Sequence, residues 1–408
     1  MIPYSSTGPD HPASRMHILV LPSWYPTAYA PLSGSFFSEQ AAALARAGHR
    51  VGVIHPDQRS VRTLASGHLS MGDREGVHDG VTVYRHESIA LPKLHAWNGR
   101  RWVTSAERMF ARYAAEQGLP DVLHAQGAIW AGVAASRISR SAGVPFVLTE
   151  HSTGYARGLF EGWYRPFLVE AFGSAHTVVA VSESLRRHLV GLRAQGDIRV
   201  VPNSVDTALF SLPPRPRSRH PFGFVCIAIL DAKKAVDLLL EAFAAAFSED
   251  AAVRLDIVGD GPEAPRLRRL TRDLELTGRV TFHGARDRLG VRDALWSSHC
   301  CVSPSHVETF GVTLIEALAT GIPVVATRSG GPEDIVSAEC GILTAAGSAS
   351  GLAEALRRVY SDRDTWRERA DSLRAVAEGR FGQQVVAERM GAIYRSAANR
   401  NVEWPTPH

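Results

Sequence analysis

The stretch SPSHVETFGVTLIEALATGIPVVAT (303–327) decides the fold. It leaves one apolar segment through a polar loop, opens a helix-patterned run at Gly311, and enters a second apolar segment through Gly321 and Pro323. Strand, loop, helix and strand in that order form the unit of a parallel sheet covered by helices. Outward from it, FGFVCIAIL (222–230), RLDIVG (254–259), VTFHG (280–284), CCVSP (300–304) and PVVAT (323–327) repeat the strand character, with helices near 235–247, 263–275 and 312–319. The first half of the chain alternates in the same way. HILVL (17–21), RVGVI (50–54), VTVYR (81–85), DVLHA (121–125), PFVLT (145–149), HTVVAV (176–181) and IRVVP (198–202) read as strands, with helices near 38–47, 104–117, 129–142 and 183–191.

These halves predict two Rossmann-like α/β domains facing a central cleft: 16–210 and 222–378, joined by the proline-rich connector SLPPRPRSRHP (211–221). Residues 1–15 read as a flexible leader resembling neither a secretory signal nor a transit peptide. Residues 379–408 read as a helix crossing back to the first domain, followed by a polar tail. Ligands of open parallel sheets sit outside the carboxyl ends of the strands, so the loops after strands are where chemistry is expected.

In 303–327, Glu308 and Glu316 stand eight positions apart, one in the loop and one along the helix, so two carboxylates can hold two parts of one ligand. Phe310, Gly311, Val312 and Thr313 supply backbone N–H groups at a helix start, where unsatisfied donors and the helix dipole favour an anion such as phosphate. ILDAKKAVDLLLEAF (229–243) carries Lys233 and Lys234 between a strand and a helix. Positioned cations there stabilise a departing diphosphate; the plain alternative is that they solvate a helix start, where the dipole disfavours them. His151 ends the strand PFVLT in a polar cluster, TEHSTGYARG (149–158), and reads as a ligand contact rather than a base; a lone histidine is more often a packing residue.

SHVETFGVTLIEALATGIPVVATRSGGPEDIV (305–336) resembles the donor-site signature of the retaining family 4, or group 1, glycosyltransferases, which have the GT-B fold. The likeness extends to 23–54, VPNSVDTALF (201–210) and LDIVGDGPE (255–263). It implies that Glu316 binds the ribose hydroxyls of a nucleotide, that Glu308 and the Phe310–Thr313 backbone hold the donor sugar and diphosphate, and that His151 contacts the sugar. Lys234 falls where the family places its diphosphate lysine. Two departures stand out: the family's arginine five residues earlier is Ile229, and the glycine after the lysine is Ala235. Either Lys233 or an arginine from elsewhere replaces the missing charge, or the protein only binds.

The resemblance further implies that Gly34 belongs to a loop near the diphosphate and acceptor, that Gly259 and Gly261 shape the nucleotide pocket, and that His283 and Gly284 offer backbone contacts to the base. The implied reaction is retaining transfer from a nucleotide-sugar, UDP-linked by default, to a glycan, lipid-linked glycan or natural-product hydroxyl. The leaving diphosphate receives the acceptor's proton. A nucleotide-sugar 2-epimerase and a non-catalytic nucleotide-sugar binder are the alternatives. No Asp-x-Asp clamp stands in a post-strand loop, so no metal is expected, and no cofactor beyond the nucleotide-sugar substrate.

Composition bounds the rest. The chain has 408 residues, 45% hydrophobic and 21% charged, ordinary for a folded protein with ample core, and no stretch is apolar enough to span a membrane. A net charge of +4 is no nucleic-acid footprint. Four cysteines without a C-x-x-C pair suit a reducing cytoplasm. LPKLHAWNGRRW (91–102) and YARGLFEGWYRPF (155–167) interleave basic and aromatic residues, read as loops that stack on sugars or touch the inner face of a membrane; core aromatics with snorkelling arginines are the alternative.

Overall fold

A computed structural model of the protein describes residues 15–27, 29–30, 33–61, 71–192, 198–248 and 252–399; the leader (but for residue 15) and the polar tail from residue 400 lie outside them. The first sheet comprises β1 (His17–Pro22), β2 (Arg50–Ser60), β3 (Gly72–His78), β4 (Val81–Ala90), β5 (Val122–Gln126), β6 (Phe146–Glu150), β7 (Thr177–Ala180) and β8 (Ile198–Val200). Its order is β3-β4-β2-β1-β5-β6-β7-β8, parallel except for β3. The second comprises β9 (Phe222–Ile227), β10 (Val253–Val258), β11 (Val280–Gly284), β12 (Cys300–Ser303), β13 (Val324–Arg328) and β14 (Gly341–Ala345), in the order β11-β10-β9-β12-β13-β14, all parallel. That is the doubly wound strand order, and the chain reverses direction across the sheet at β1/β5 and at β9/β12. The expected fold class, two Rossmann-like domains around a cleft, is the observed one.

Central strands are buried on both faces and therefore read as nearly unbroken apolar runs: Ile18 to Leu21 and Leu255 to Val258 are all buried, and only Asp256 among them is polar. Where the pattern misleads, charge is the reason. β2 runs on past Ile54 to Ser60 because Gly52–Ser60 pairs with Thr82–Ala90. Its outer half buries Asp57 and Arg59, with Arg59 paired to Glu87 (2.5 Å) and Asp57 (3.3 Å). β3 has no apolar alternation because it is an exposed edge strand, reversed by Asp79 and Gly80 at positive φ (50° and 77°). The segment 91–102, expected as a loop, already enters the helix His95–Gln117, and 155–167 ends in the helix Arg165–Ser174. The helix Arg288–Ser297 also escapes the periodic reading; Asp287 caps it by accepting from the Gly290 N–H (2.8 Å).

The last helix, Gln383–Ala398, lies on the first domain although it follows the second in sequence. Val386, Met390, Ile393 and Tyr394 join β1, β2 and the helix Ser35–Arg46 in one apolar cluster. Each such side chain stabilises the folded state by about 1.5–3 kcal/mol when fully buried. Tyr394 also shares a hydrogen bond with the buried His124 of β5 (2.8 Å). The chain thus crosses between domains twice, at 201–221 and at 382–383, and the cleft lies between the carboxyl ends of the two sheets.

Candidate active site

A cavity of about 460 Å³ opens at the carboxyl ends of β9, β10 and β12, roofed by Phe36, His151 and Asn203 of the first domain. Its floor is the decisive stretch of sequence. After β12 the chain turns through Glu308 to Gly311, which sits at φ 102°, and the helix Val312–Ala319 starts there. Residues 309 to 313 all line the cavity, at a helix start whose first N–H groups have no partner within the helix. Gly331 packs under the turn: a Cβ there would lie 2.2 Å from the Phe310 Cα.

Opposite stands Lys234, whose ammonium is paired with Glu308. Both are mostly buried, at 20% and 13% side-chain exposure, so the pair carries a stronger field than a surface ion pair. Asp231 positions the lysine turn by accepting from the Lys233 N–H (3.1 Å). The turn ends at Ala235 with φ 48°, a left-handed position that favours the glycine expected there. Lys233 does not line the cavity; its ammonium lies 3.6 Å from Asp231 and 3.4 Å from the Thr153 hydroxyl of the first domain. The two adjacent lysines are thereby divided between the cavity and the domain junction.

The missing arginine has a candidate substitute. Ile229 lines the cavity and is 70% exposed, and Arg286, after β11, lines the same cavity. Among the described residues no carboxylate lies within ion-pair distance of Arg286. Its signal in the sequence is position alone, in GARDRLG just past a strand end.

His151 packs against Phe36 and Phe37 (ring centroids 5.3 and 5.0 Å). Burial pushes its pKa down to about 3, so the ring is neutral, and Asn203 is the side chain that partly offsets this. Both ring nitrogens are buried without a well-formed hydrogen bond. Glu150 places the histidine: Oε1 accepts from the His151 and Ser152 N–H groups (2.7 and 2.9 Å), and Oε2 from the Ala128 N–H and Tyr155 hydroxyl (2.9 Å each).

Of the other expected positions, all but Gly259 stand apart from the cavity surface. Glu316 is 2% exposed and is bound by Arg288, which also holds Glu39 of the helix Ser35–Arg46 (2.7 Å) across the domain junction. Burial raises the pKa of Glu316 and lifts that of Glu39 to about 7, with Arg288 opposing both shifts. Gly34, at φ 70°, starts that same helix, where a Cβ would lie 2.5 Å from the Trp24 carbonyl oxygen; Phe36, two residues on, reaches the cavity instead. Gly259 lines the cavity, whereas Gly261 lets the loop pass Leu230, whose carbonyl oxygen would meet a Cβ at 2.4 Å. His283 turns its ring to Asp256 (2.7 Å) and Gly284 accepts from the Gly259 N–H (2.8 Å), so the lining continues at Ala285 and Arg286. Asn203, Arg286, Arg288 and Glu39 are the residues that sequence reasoning misses; only Arg286 carries a positional hint.

A second cavity, about 470 Å³, lies in the first domain on the other side of Glu150 and Ser152. Trp24, Tyr25, Tyr29 and Trp130 supply aromatic surface, and Asp57, which accepts from the Tyr29 hydroxyl (2.7 Å), supplies a carboxylate.

Comparison with known proteins agrees with this arrangement. The family described as Glycosyltransferase Family 4 matches residues 34–209, and that described as Glycosyl transferases group 1 matches residues 221–362. The chain is 29% identical to a glycosyltransferase assigned to teichuronic acid biosynthesis in Bacillus subtilis, over 95% of this chain and the whole of that protein. It is 27% identical to a glycogen synthase of Mycobacterium tuberculosis, over 96% and 97% of the two chains. Among solved structures, sucrose-phosphate synthase from Thermosynechococcus elongatus superposes with a TM-score of 0.73 at 20% identity, covering 93% of this chain and 98% of that one. Anabaena HepE in complex with UDP and glucose superposes with 0.71 at 19% identity, over 93% and 100%.

Proposed function

The chain belongs to the family 4, or group 1, glycosyltransferases of GT-B fold, and from that premise we propose that it transfers a sugar with retention from a nucleotide-sugar to an acceptor hydroxyl. The donor is UDP-linked by default, and the acceptor is a glycan, a lipid-linked glycan or a small natural product. One observation carries this reading: a single cavity joins a helix start rich in free N–H groups, the Lys234–Glu308 pair and the unpaired Arg286. Such a set neutralises a diphosphate on one side and offers a carboxylate to sugar hydroxyls on the other.

In this reading Lys234, Arg286 and the Gly311–Thr313 backbone hold the leaving diphosphate, with no metal required. Glu308 and His151 orient the sugar. The acceptor hydroxyl attacks from the face the diphosphate leaves, and its proton passes to the departing phosphate oxygen. His151, being neutral, serves as a hydrogen-bonding contact and not as an acid. Glu316 takes the ribose hydroxyls in exchange for the hydrogen bond it receives from Arg288. The aromatic cavity beyond Glu150 receives the acceptor, where ring faces stack on sugar C–H surfaces.

Peripheral attachment to an anionic membrane follows for a lipid-linked acceptor. Leu94 and Trp97 are exposed beside Lys93 and Arg101, Leu159 and Trp163 are exposed in 155–167, and Trp130 links the two segments. No described helix is long and apolar enough to cross a membrane.

The test is thermal shift against UDP, GDP, ADP and TDP with a Glu316→Ala control. Selective stabilisation by one nucleotide, lost in the variant, is expected, followed by acceptor-dependent release of that nucleotide from its sugar donors. No shift with any nucleotide would sink the donor-site assignment. Isomerisation of the donor without acceptor would instead identify an epimerase.

A further inference from the structure

A third cavity lies at the opposite end of the second sheet from the cleft. It is formed where the connector passes the amino ends of β9, β12 and β13, and it measures about 300 Å³. That volume is at the small end of organic-ligand sites. Its walls are apolar: Leu212, Pro213, Phe222, Ile322 and Trp366 line it, and no Asp or Glu does.

Its polar groups are donors left over. Arg217, from the connector, gives one N–H to the Thr320 carbonyl (2.5 Å), while its Nε is buried without an acceptor. Among the described residues no carboxylate lies within ion-pair distance of it, and burial pulls its pKa down to about 10. Trp366 is 8% exposed and its indole N–H is likewise buried without an acceptor. Of the other cations, Arg367 pairs with Asp364 (2.8 Å) and Arg363 donates to the Tyr360 carbonyl (2.9 Å). His299 adds no charge: it accepts from the Gly223 N–H (2.9 Å), so its other nitrogen donates to the Ser218 carbonyl (2.6 Å), and burial lowers its pKa to about 4.

Buried donors are nearly always satisfied in folded proteins, and a partly buried guanidinium whose Nε is buried without an acceptor or a counter-charge calls for an anion. We propose that this cavity binds a small organic monoanion with an apolar body, an aryl or branched-chain carboxylate, whose oxygens accept from Arg217 and Trp366. The walls take the hydrocarbon part. A nucleotide does not suit the site, since of the guanidiniums lining it only Arg217 has a buried N–H without an acceptor, and the helix start that would cradle phosphates lies at the other end of the sheet.

The experiment is isothermal titration of the full-length protein with indole-3-acetate, phenylacetate and 4-methylvalerate, each beside its primary amide. At least one acid is expected to bind with unit stoichiometry, its amide about tenfold more weakly. Arg217→Gln should erase that preference. Ala370→Phe, which fills the cavity with Arg217 intact, should abolish binding of acid and amide alike, while thermal melting shows the variant folded. The proposal is overturned if none of the acids binds at millimolar concentration, if acid and amide bind equally, or if Ala370→Phe still binds. No readout involves nucleotide or sugar transfer, so failure here is separable from failure of the glycosyltransferase reading.

Discussion

Arg286→Ala is the sharpest test of how this chain manages without the arginine its family places at Ile229. Two unit charges 4 Å apart interact by ~1 kcal/mol in bulk water and ~4 kcal/mol at the effective dielectric of a partly enclosed site. Arg286 is exposed and Ile229, which lines the same cavity, is 70% exposed, so the cleft mouth is wet and the lower part of that range applies. A charge-assisted hydrogen bond to a phosphate contributes about 1.5–3 kcal/mol, hence a loss of roughly 10- to 100-fold in kcat/KM. The loss should fall mainly on kcat, because the diphosphate gains charge as it leaves. Adding Ile229→Arg to the Arg286→Ala chain should restore much of the activity at little cost in stability, since Ile229 buries little surface. Steady-state nucleotide release measures both arms. Activity within about twofold of the parent in Arg286→Ala would refute the compensation, and failure of Ile229→Arg to rescue a damaged variant would show that charge at this wall is not what was lost.

Further outcomes follow from the same geometry. Lys234→Ala removes the cation paired with Glu308 and should lower kcat by roughly 10²–10³-fold; near-parental turnover of a folded variant would remove the lysine from the site. Ala235→Gly relieves a left-handed alanine (φ 48°) and should stabilise by about 0.5–1 kcal/mol after the entropy cost of glycine, raising the melting temperature; a lower one would contradict the strain. The closed arrangement of the domains, which buries Glu39 at their junction, should weaken as pH rises. Burial holds the Glu39 carboxyl near 7 against an ordinary 4.5, with Arg288 offsetting only part of the shift, so closure takes up a proton between those values, is most favoured below the lower and loses that contribution through the upper. Small-angle scattering should show the domains separating between pH 5 and pH 8. An identical pH profile in Glu39→Gln would refute that origin.

The strands were legible where burial on both faces leaves an unbroken apolar run, as in HILVL or RLDIVG. They were illegible where the sheet buries ion pairs, as at Asp57, Arg59 and Glu87, or meets water, as at β3. In the first case electrostatic pairing replaces apolar burial, so the residues look like surface. In the second the strand exists because its neighbour offers hydrogen bonds, not because of its own side chains. The two helices hidden in 91–102 and 155–167 share a different cause. Their exposed Trp97 and Val169 break the polar face that marks an ordinary surface helix, so periodicity does not separate helix from loop.

The site divides along the same line. Glu308, Gly311 and Lys234 lie within one strand-loop-helix unit or immediately beside a strand end, so local spacing delivers them to the cavity whatever the rest of the molecule does. Glu316 is equally local, yet what it does depends on Arg288, twenty-eight positions earlier, and through it on Glu39 of the other domain. A carboxylate at 2% exposure stays ionised only if something donates to it, and that donor can come from any element the fold brings near. Sequence spacing places a group; the partner that sets its charge and availability is a tertiary fact. It is therefore at Glu316, and not at the helix start it shares with Gly311, that a reading from sequence alone had to stop.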